Sequence, residues 1–246
     1  MMIAARNAFL MGGAKTPTAR DYVQDGLIAM WDGIENAGWG VHDASAATWK
    51  DLTGNGYDIS VNNSIFTWTQ NSIKPLSTSN FVPLSSPSGA YSAERGTIEA
   101  IFRISSVGSS SFGRVWSSNS NGSNYRLALL ISNVALSVAI QCGSIGGSKF
   151  AETGIATIDV GSIVSASFYR DSTSNMGITV NRTNYVLSGF SSVYNAQGSM
   201  CIFGDNAQTA GNNVFGDIYS IRSYSRALTA AEVAANYAVD AARFGL

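Results

Sequence analysis

Charge is scarce in this 246-residue chain: 13% of residues are Asp, Glu, Lys or Arg, about half the usual share of a soluble domain. The 15 basic and 16 acidic residues nearly cancel, to a formal charge of -1, and no run of Lys or Arg occurs. The electrostatic footprint that nucleic acid or an anionic membrane surface demands is therefore missing, and neither is an expected partner. The single histidine, His42, excludes His-rich metal chemistry and leaves one candidate base for a Ser or Cys nucleophile. Its setting, "GVHDAS", reads as a turn, and no G-x-S-x-G elbow accompanies it. Cys142 and Cys201 are too few for a disulfide framework and are not spaced C-x-x-C; both sit in apolar runs, which favours buried thiols over a disulfide between them. No segment approaches the roughly 18 consecutive apolar residues of a membrane-crossing helix. The opening "MMIAARNAFLMGGAK" has an apolar patch from Ala8 to Met11 that is too brief for a signal-peptide core, so secretion by the usual route is not expected.

What the chain does have is a hydrophobic content of 45%, aromatics at 11%, and 25 glycines, enough for a core with many turns. Residues 1 to 24 lack periodicity and read as an extended arm for anchoring or oligomerisation, with a frayed terminus as the competing reading. Residues 25 to 246 read as one domain. Within it, "GTIEAIFRIS" puts Ile98, Ala100, Phe102 and Ile104 on one face and Glu99 and Arg103 on the other. "VALSVAI", "IVSASFYR" and "MGITVN" alternate in the same way, with Val164, Ala166 and Phe168 in phase in the second of these. Strands with one dry and one wet face predict an all-β fold of two antiparallel sheets packed as a sandwich.

One helix is predicted, at about 229 to 242. Thr229 with Glu232 three residues later forms a capping-box pattern. Ala230, Val233, Ala234, Tyr237, Ala238 and Ala241 then recur at helical spacing as a stripe of mostly small side chains. That stripe is the expected docking face, leaving Asn236, Asp240 and Arg243 toward water.

Glycoside hydrolysis needs two carboxylates about 5 Å apart, or somewhat farther for inversion. The strand best placed for such a pair holds only Glu99, so the expectation is a chain that is not an enzyme. "DLTGNGYD" places Asp51, Asn55 and Asp58 in a Gly-containing turn, either as ligands for Ca²⁺ or as Asx residues bonding their own backbone. Sugar binding asks for aromatic platforms and amides. Trp39, Trp68, Trp116 and Tyr125 lie near loops or strand ends, and Asn121, Asn206 and Asn212 lie in loops; packing and turn formation are the competing roles for these residues.

Three segments carry a family resemblance. "GDIYSIRSYSRALTAAEVAANY" looks like the closing strand and helix of laminin-G-like, concanavalin-A-like jelly rolls. "WKDLTGNGYDI" is similar to that family's early D-x-S-G-N-G turn, with Thr53 in place of Ser, and "GTIEAIFRI" matches a strand often written TIEAWFR. The resemblance implies a jelly-roll sandwich. "YVQDGLIAMWDGIENAGWGVHD" further resembles laminin-G-like proteins of phages and prophages of gut Bacteroidales, which implies a virion surface protein, such as a decoration, head-fibre or tail protein. Its expected partners are glycans, and other virion proteins through the arm; a homo-oligomer is the usual state. A purely structural virion role and, behind it, a glycoside hydrolase are the alternatives.

Overall fold

The computed structural model describes residues 16–79, 81–92, 95–118, 125–133, 136–144, 151–172, 175–188, 199–204 and 211–246. In chain order these form β1 (Leu27–Asp32), β2 (Thr48–Trp49), β3 (Ile59–Ser60), β4 (Phe66–Trp68), β5 (Ile73–Pro75), β6 (Leu84–Ser85), β7 (Gly96–Val107) and β8 (Phe112–Ser118). There follow β9 (Tyr125–Ser132), β10 (Ser137–Ser144), β11 (Ala151–Thr157), β12 (Ile163–Arg170), β13 (Met176–Val180), β14 (Thr183–Leu187), β15 (Met200–Ile202), β16 (Val214–Tyr224) and the helix α1 (Ala230–Phe244). One sheet runs β14-β13-β12-β7-β16-β5-β4, with β1 sharing an edge of β16; the other runs β11-β10-β9-β8-β15-β6. Every pairing between these strands is antiparallel. The predicted all-β jelly-roll sandwich with a C-terminal helix is the fold.

Period-two alternation sets the layers. Ile98, Ala100, Phe102 and Ile104 of β7 enter the core shared by the two sheets, and the register aligns Ala100 with Ala166 of β12 and Ile221 of β16. The second sheet contributes Val115, Leu129, Ile131, Val138, Ile140 and Ile202. Each large side chain so buried stabilises the fold by about 1.5–3 kcal/mol. Trp31, Trp49 and Trp68 join them, and their indole N–H groups donate to the carbonyls of Tyr57, Asp32 and Ala46. This satisfies the one polar atom each brings inside.

The helix begins where the sequence places it. Thr229 Oγ1 accepts from the Glu232 N–H, and Glu232 Oε2 accepts from the Thr229 N–H. It runs two residues beyond the expected end, to Phe244, and stops at Gly245, whose φ of 77° lies in the left-handed region. Its docking face, however, is the reverse of the one expected. Asn236 and Asp240 are each 1% exposed, whereas Ala230, Ala234 and Ala238 are exposed. The reason lies in the sheet beneath. The outer face of β7 and β16 presents Glu99, Ser220 and Arg222, so the side chains that fit it are polar. Arg222 donates to Asp240 through both terminal nitrogens (2.8 and 2.7 Å) and through Nε to Glu99 (2.9 Å). Asn236 donates to Glu99 and to the Tyr224 hydroxyl. Arg243 pairs with Asp32 and Glu35. Apolar contacts flank this network: Val239 packs against the cluster of Ala19, Tyr22, Met30 and Leu52, and at the end of the helix Phe244 meets Ile101 and Tyr219.

Of the stretch read as an arm, residues 1–15 lie outside the described residues. Within Thr18 to Gln24 the backbone is extended at Thr18 and Tyr22, and Ala19–Asp21 between them is a short 3-10 helix with its own capping box. Tyr22 is buried, donates its hydroxyl proton to Asp240 at 2.8 Å, and lies under Arg222, whose guanidinium carbon is 3.9 Å from the ring centroid. The Val23 N–H donates to Asn236 Oδ1. This segment therefore belongs to the sandwich and clamps the helix, because its aromatic ring and backbone complete the polar network.

Candidate functional site

Among the described residues, those singled out as sugar contacts do not converge. Trp68 is 6% and Trp116 1% exposed, both inside the sandwich. Trp39 packs beside Tyr22, Met30 and Leu52, with the Arg20 guanidinium 4.3 Å above its ring. Asn212 is buried, and its carbonyl accepts from the Arg114 N–H. Asn121, Asn206 and the side chain of Tyr125 lie outside the described residues. The calcium candidates do share one turn. Asp51 accepts hydrogen bonds from the N–H groups of Met30, Thr53 and Tyr57 and from the Thr53 hydroxyl. Asp58 accepts from Lys50 Nζ and the Asp51 N–H, and Asn55 Nδ2 donates to the Ile28 carbonyl. These bonds lock the turn onto β1. Among the described residues, no group of three His, Cys, Asp or Glu side chains is arranged to hold a metal ion.

A different site emerges on the outer face of the larger sheet. While Val164, Ala166 and Phe168 point inward from β12, the intervening Ser165, Ser167 and Tyr169 point out. Thr179 of β13 and its cross-strand partner Asn184 of β14 continue that polar surface. The stripe Ala230, Val233, Ala234 and Tyr237, turned away from the sheet's polar network, forms the facing wall. Between floor and wall lies a cleft of about 480 Å³, completed by Asn175, Arg182 and Leu228. The apolar stripe of α1 is thus a cleft wall and not the docking face.

Two features of the cleft are built from specific residues. Tyr169 pairs across the sheet with Gly177, and a Cβ at Gly177 would fall 2.6–2.8 Å from Oη, Cε1 and Cζ of that ring. Only glycine leaves room for the phenol to lie across β13, which makes Tyr169 a platform in the floor of the cleft. Ser167, 3% exposed, has a hydroxyl with no hydrogen-bond partner among the described residues, an unusual state for a buried polar group and one that a ligand hydroxyl would relieve. The lining therefore combines two aromatic rings and the aliphatic Leu228, Ala230, Val233 and Ala234 with hydroxyls, amides and one guanidinium, and holds no carboxylate. Such a surface can stack on an apolar ring face and exchange hydrogen bonds with hydroxyls.

No family model and no curated relative matches the chain. Solved structures do. The chain is similar to a Trypanosoma rangeli sialidase, solved in complex with sialic acid, at a TM-score of 0.64 and 15% identity over 92% of this chain and 34% of the sialidase. It is similar to domain 4 of AbnA, a GH43 extracellular arabinanase from Geobacillus stearothermophilus, solved in complex with arabinotriose, at a TM-score of 0.64 and 15% identity. That match covers 84% of this chain and 96% of the domain. The likeness is one of fold, and the chain spans about a third of the sialidase's length. It nevertheless overturns the expectation that the chain is not an enzyme. The jelly roll is shared with proteins that are glycoside hydrolases, so the fold does not separate this chain from them.

A second depression, of about 640 Å³, is lined by Lys74, Arg103, Phe215 and Asp217 among others. Its Arg103 is committed to Asp217 at 2.7 Å, and its one ring, Phe215, is only 4% exposed. It offers less to a ligand than the smaller cleft. The acidic residues that do come together lie under α1, where burial dominates their chemistry. Desolvation, outweighing Arg222, holds the Glu99 carboxyl above its ordinary range, and desolvation against Arg243 does the same for Asp32. Burial, helped by Asp240, raises the Tyr22 hydroxyl well above its usual value.

Sequence reading missed Tyr169, Ser167, Arg182 and Tyr237 as a group. The wet face of "IVSASFYR" and the helix stripe were each visible, but as separate features. The Asn181-Arg182 pair between two alternating runs was the local signal for a tight hairpin beside them.

Proposed function

We propose that the chain binds carbohydrate in the cleft between α1 and the outer face of β12–β14. The observation that carries this reading is Tyr169, laid across Gly177 and facing a helix wall that bears Tyr237, with hydroxyl and amide groups between them. A sugar presents an apolar ring face and a hydroxylated rim, which matches that distribution. The saccharides bound in the two fold neighbours, sialic acid and arabinotriose, support the same ligand class. The test is a glycan array, followed by calorimetry on any hit, with the wild type, Tyr169→Ala and Tyr237→Ala. Loss of one aromatic contact is expected to weaken binding by roughly 10- to 100-fold while circular dichroism shows that the sandwich is retained. Wild-type affinity in both variants would remove the cleft from consideration.

Glycoside hydrolysis is the second reading, favoured by the shared fold. Glu99 and Asp240 approach each other through Arg222 beneath the helix, and a hydrolase would have to expose them. Release of reducing sugar by the wild type that disappears in Glu99→Gln would establish it. The laminin-G-like and virion-surface assignment rests on the three quoted sequence segments and on the phage-like stretch before the turn. Detection of the chain in purified particles, and its loss from them when residues 1–15 are deleted, tests that placement and the role of the arm together.

A further inference from the structure

The hairpin between β13 and β14 has two central residues, Asn181 and Arg182, with φ of 45° and 73°. Positive φ at both positions defines a type I′ turn, for which Asn-Gly is the favoured pair because glycine adopts the second conformation without strain. Asn181 is accounted for by its neighbours: its N–H donates to the Ser165 carbonyl, and its Oδ1 accepts from the Ser165 N–H. Arg182 is not. It occupies the position glycine would hold more cheaply, and strain of this kind collects at functional sites.

Its side chain explains the choice. The Arg182 guanidinium carbon lies 5.8 Å from the centroid of Tyr237, so the hairpin sets a positive charge beside the aromatic wall of the cleft. Arg182 is solvent-exposed and forms no ion pair among the described residues, and the other cleft-lining side chains are uncharged. The cleft is therefore singly cationic. A neutral sugar would use its rings and hydroxyls and leave that charge to water. A sugar bearing a carboxylate would also engage the planar fork of the guanidinium in two parallel hydrogen bonds. We infer that the cleft selects an acidic sugar and that Arg182 holds its carboxylate. This rests on the carbohydrate-binding reading above and narrows it to a ligand class.

The experiment is titration calorimetry on the full chain with matched pairs of probes, sialyllactose and oligogalacturonate each against its methyl ester, at low and high salt. In at least one pair the acidic member is expected to bind about tenfold more tightly than its neutral counterpart, in line with one charge-assisted contact. High salt is expected to erode the difference. Arg182→Gly should bring the two members to within about twofold of each other, while melting no lower than the wild type, since glycine suits the turn. Arg182→Lys, which keeps the charge and loses the fork, should fall between. Equal binding of acidic and neutral members, with both lost in Tyr169→Ala, would overturn the acidic-ligand inference and leave the site standing. A preference that survives Arg182→Gly would overturn the role of Arg182. Failure to bind any probe, or binding unaffected by Tyr169→Ala, would bring down the cleft and this inference with it.

Discussion

Replacing Asp240 with alanine tests the account of how the helix is held. Asp240 is 1% exposed; it accepts 2.8 and 2.7 Å hydrogen bonds from the two terminal nitrogens of Arg222 and one of 2.8 Å from the Tyr22 hydroxyl. In Asp240→Ala the buried guanidinium keeps Glu99 and Ser220 as partners, but loses its bidentate anion. Removing one member of a buried ion pair costs about 3–5 kcal/mol, chiefly because the other charge stays inside without full compensation. For a domain of this size each kcal/mol lowers the melting temperature by about 2–4 °C, so a fall of roughly 6–20 °C is expected. Urea unfolding followed by tryptophan fluorescence gives the free energy directly. The control is Ala234→Ser, on the stripe that sequence periodicity nominates for docking; because Ala234 is exposed, this change should stay within about 0.5 kcal/mol. A loss below about 1 kcal/mol for Asp240→Ala, or an equal loss for Ala234→Ser, would refute the polar docking face.

Three further outcomes follow from the geometry. Glu99 packs against Arg222, Asn236, Asp240 and Tyr224, and its folded-state carboxyl is raised by burial. The folded state thus holds the proton to higher pH than the unfolded chain, and the stability Glu99 contributes is full below its unfolded value and declines as pH rises through the folded one. The cost of Glu99→Gln should therefore shrink from pH 4 to pH 8, by urea titration, to the extent of that linkage; a cost that grows would mean that Arg222 outweighs desolvation. Gly177→Ala puts a methyl group where the Tyr169 ring lies, and is expected to abolish glycan binding while circular dichroism retains the sandwich spectrum. Melting temperatures with EDTA and with Ca²⁺ should coincide, because Asp51 and Asp58 spend their oxygens on protein donors. A rise with calcium would mean that Asp58 releases Lys50 for the ion.

Much of the architecture was legible because it is written in nearest neighbours. Alternation in "GTIEAIFRIS" follows from the two-residue period of a strand, and Thr229 with Glu232 caps a helix through atoms three residues apart. The sequence alone therefore determined an all-β sandwich, its inward faces, and where its helix starts. Which side of that helix meets the sheet was decided only by the tertiary structure. A periodicity count treats a small apolar stripe as sticky and a polar one as wet, but the surface offered by β7 and β16 carries Glu99 and Arg222, and a buried guanidinium selects Asp240 over alanine. The partners that settle this come from far apart: Tyr22 reaches Asp240 across 218 residues of chain. The cleft has the same origin. Tyr169, Arg182 and Tyr237 belong to a strand, a hairpin and a helix, and only the folded packing that turns the apolar stripe outward brings them to face one another.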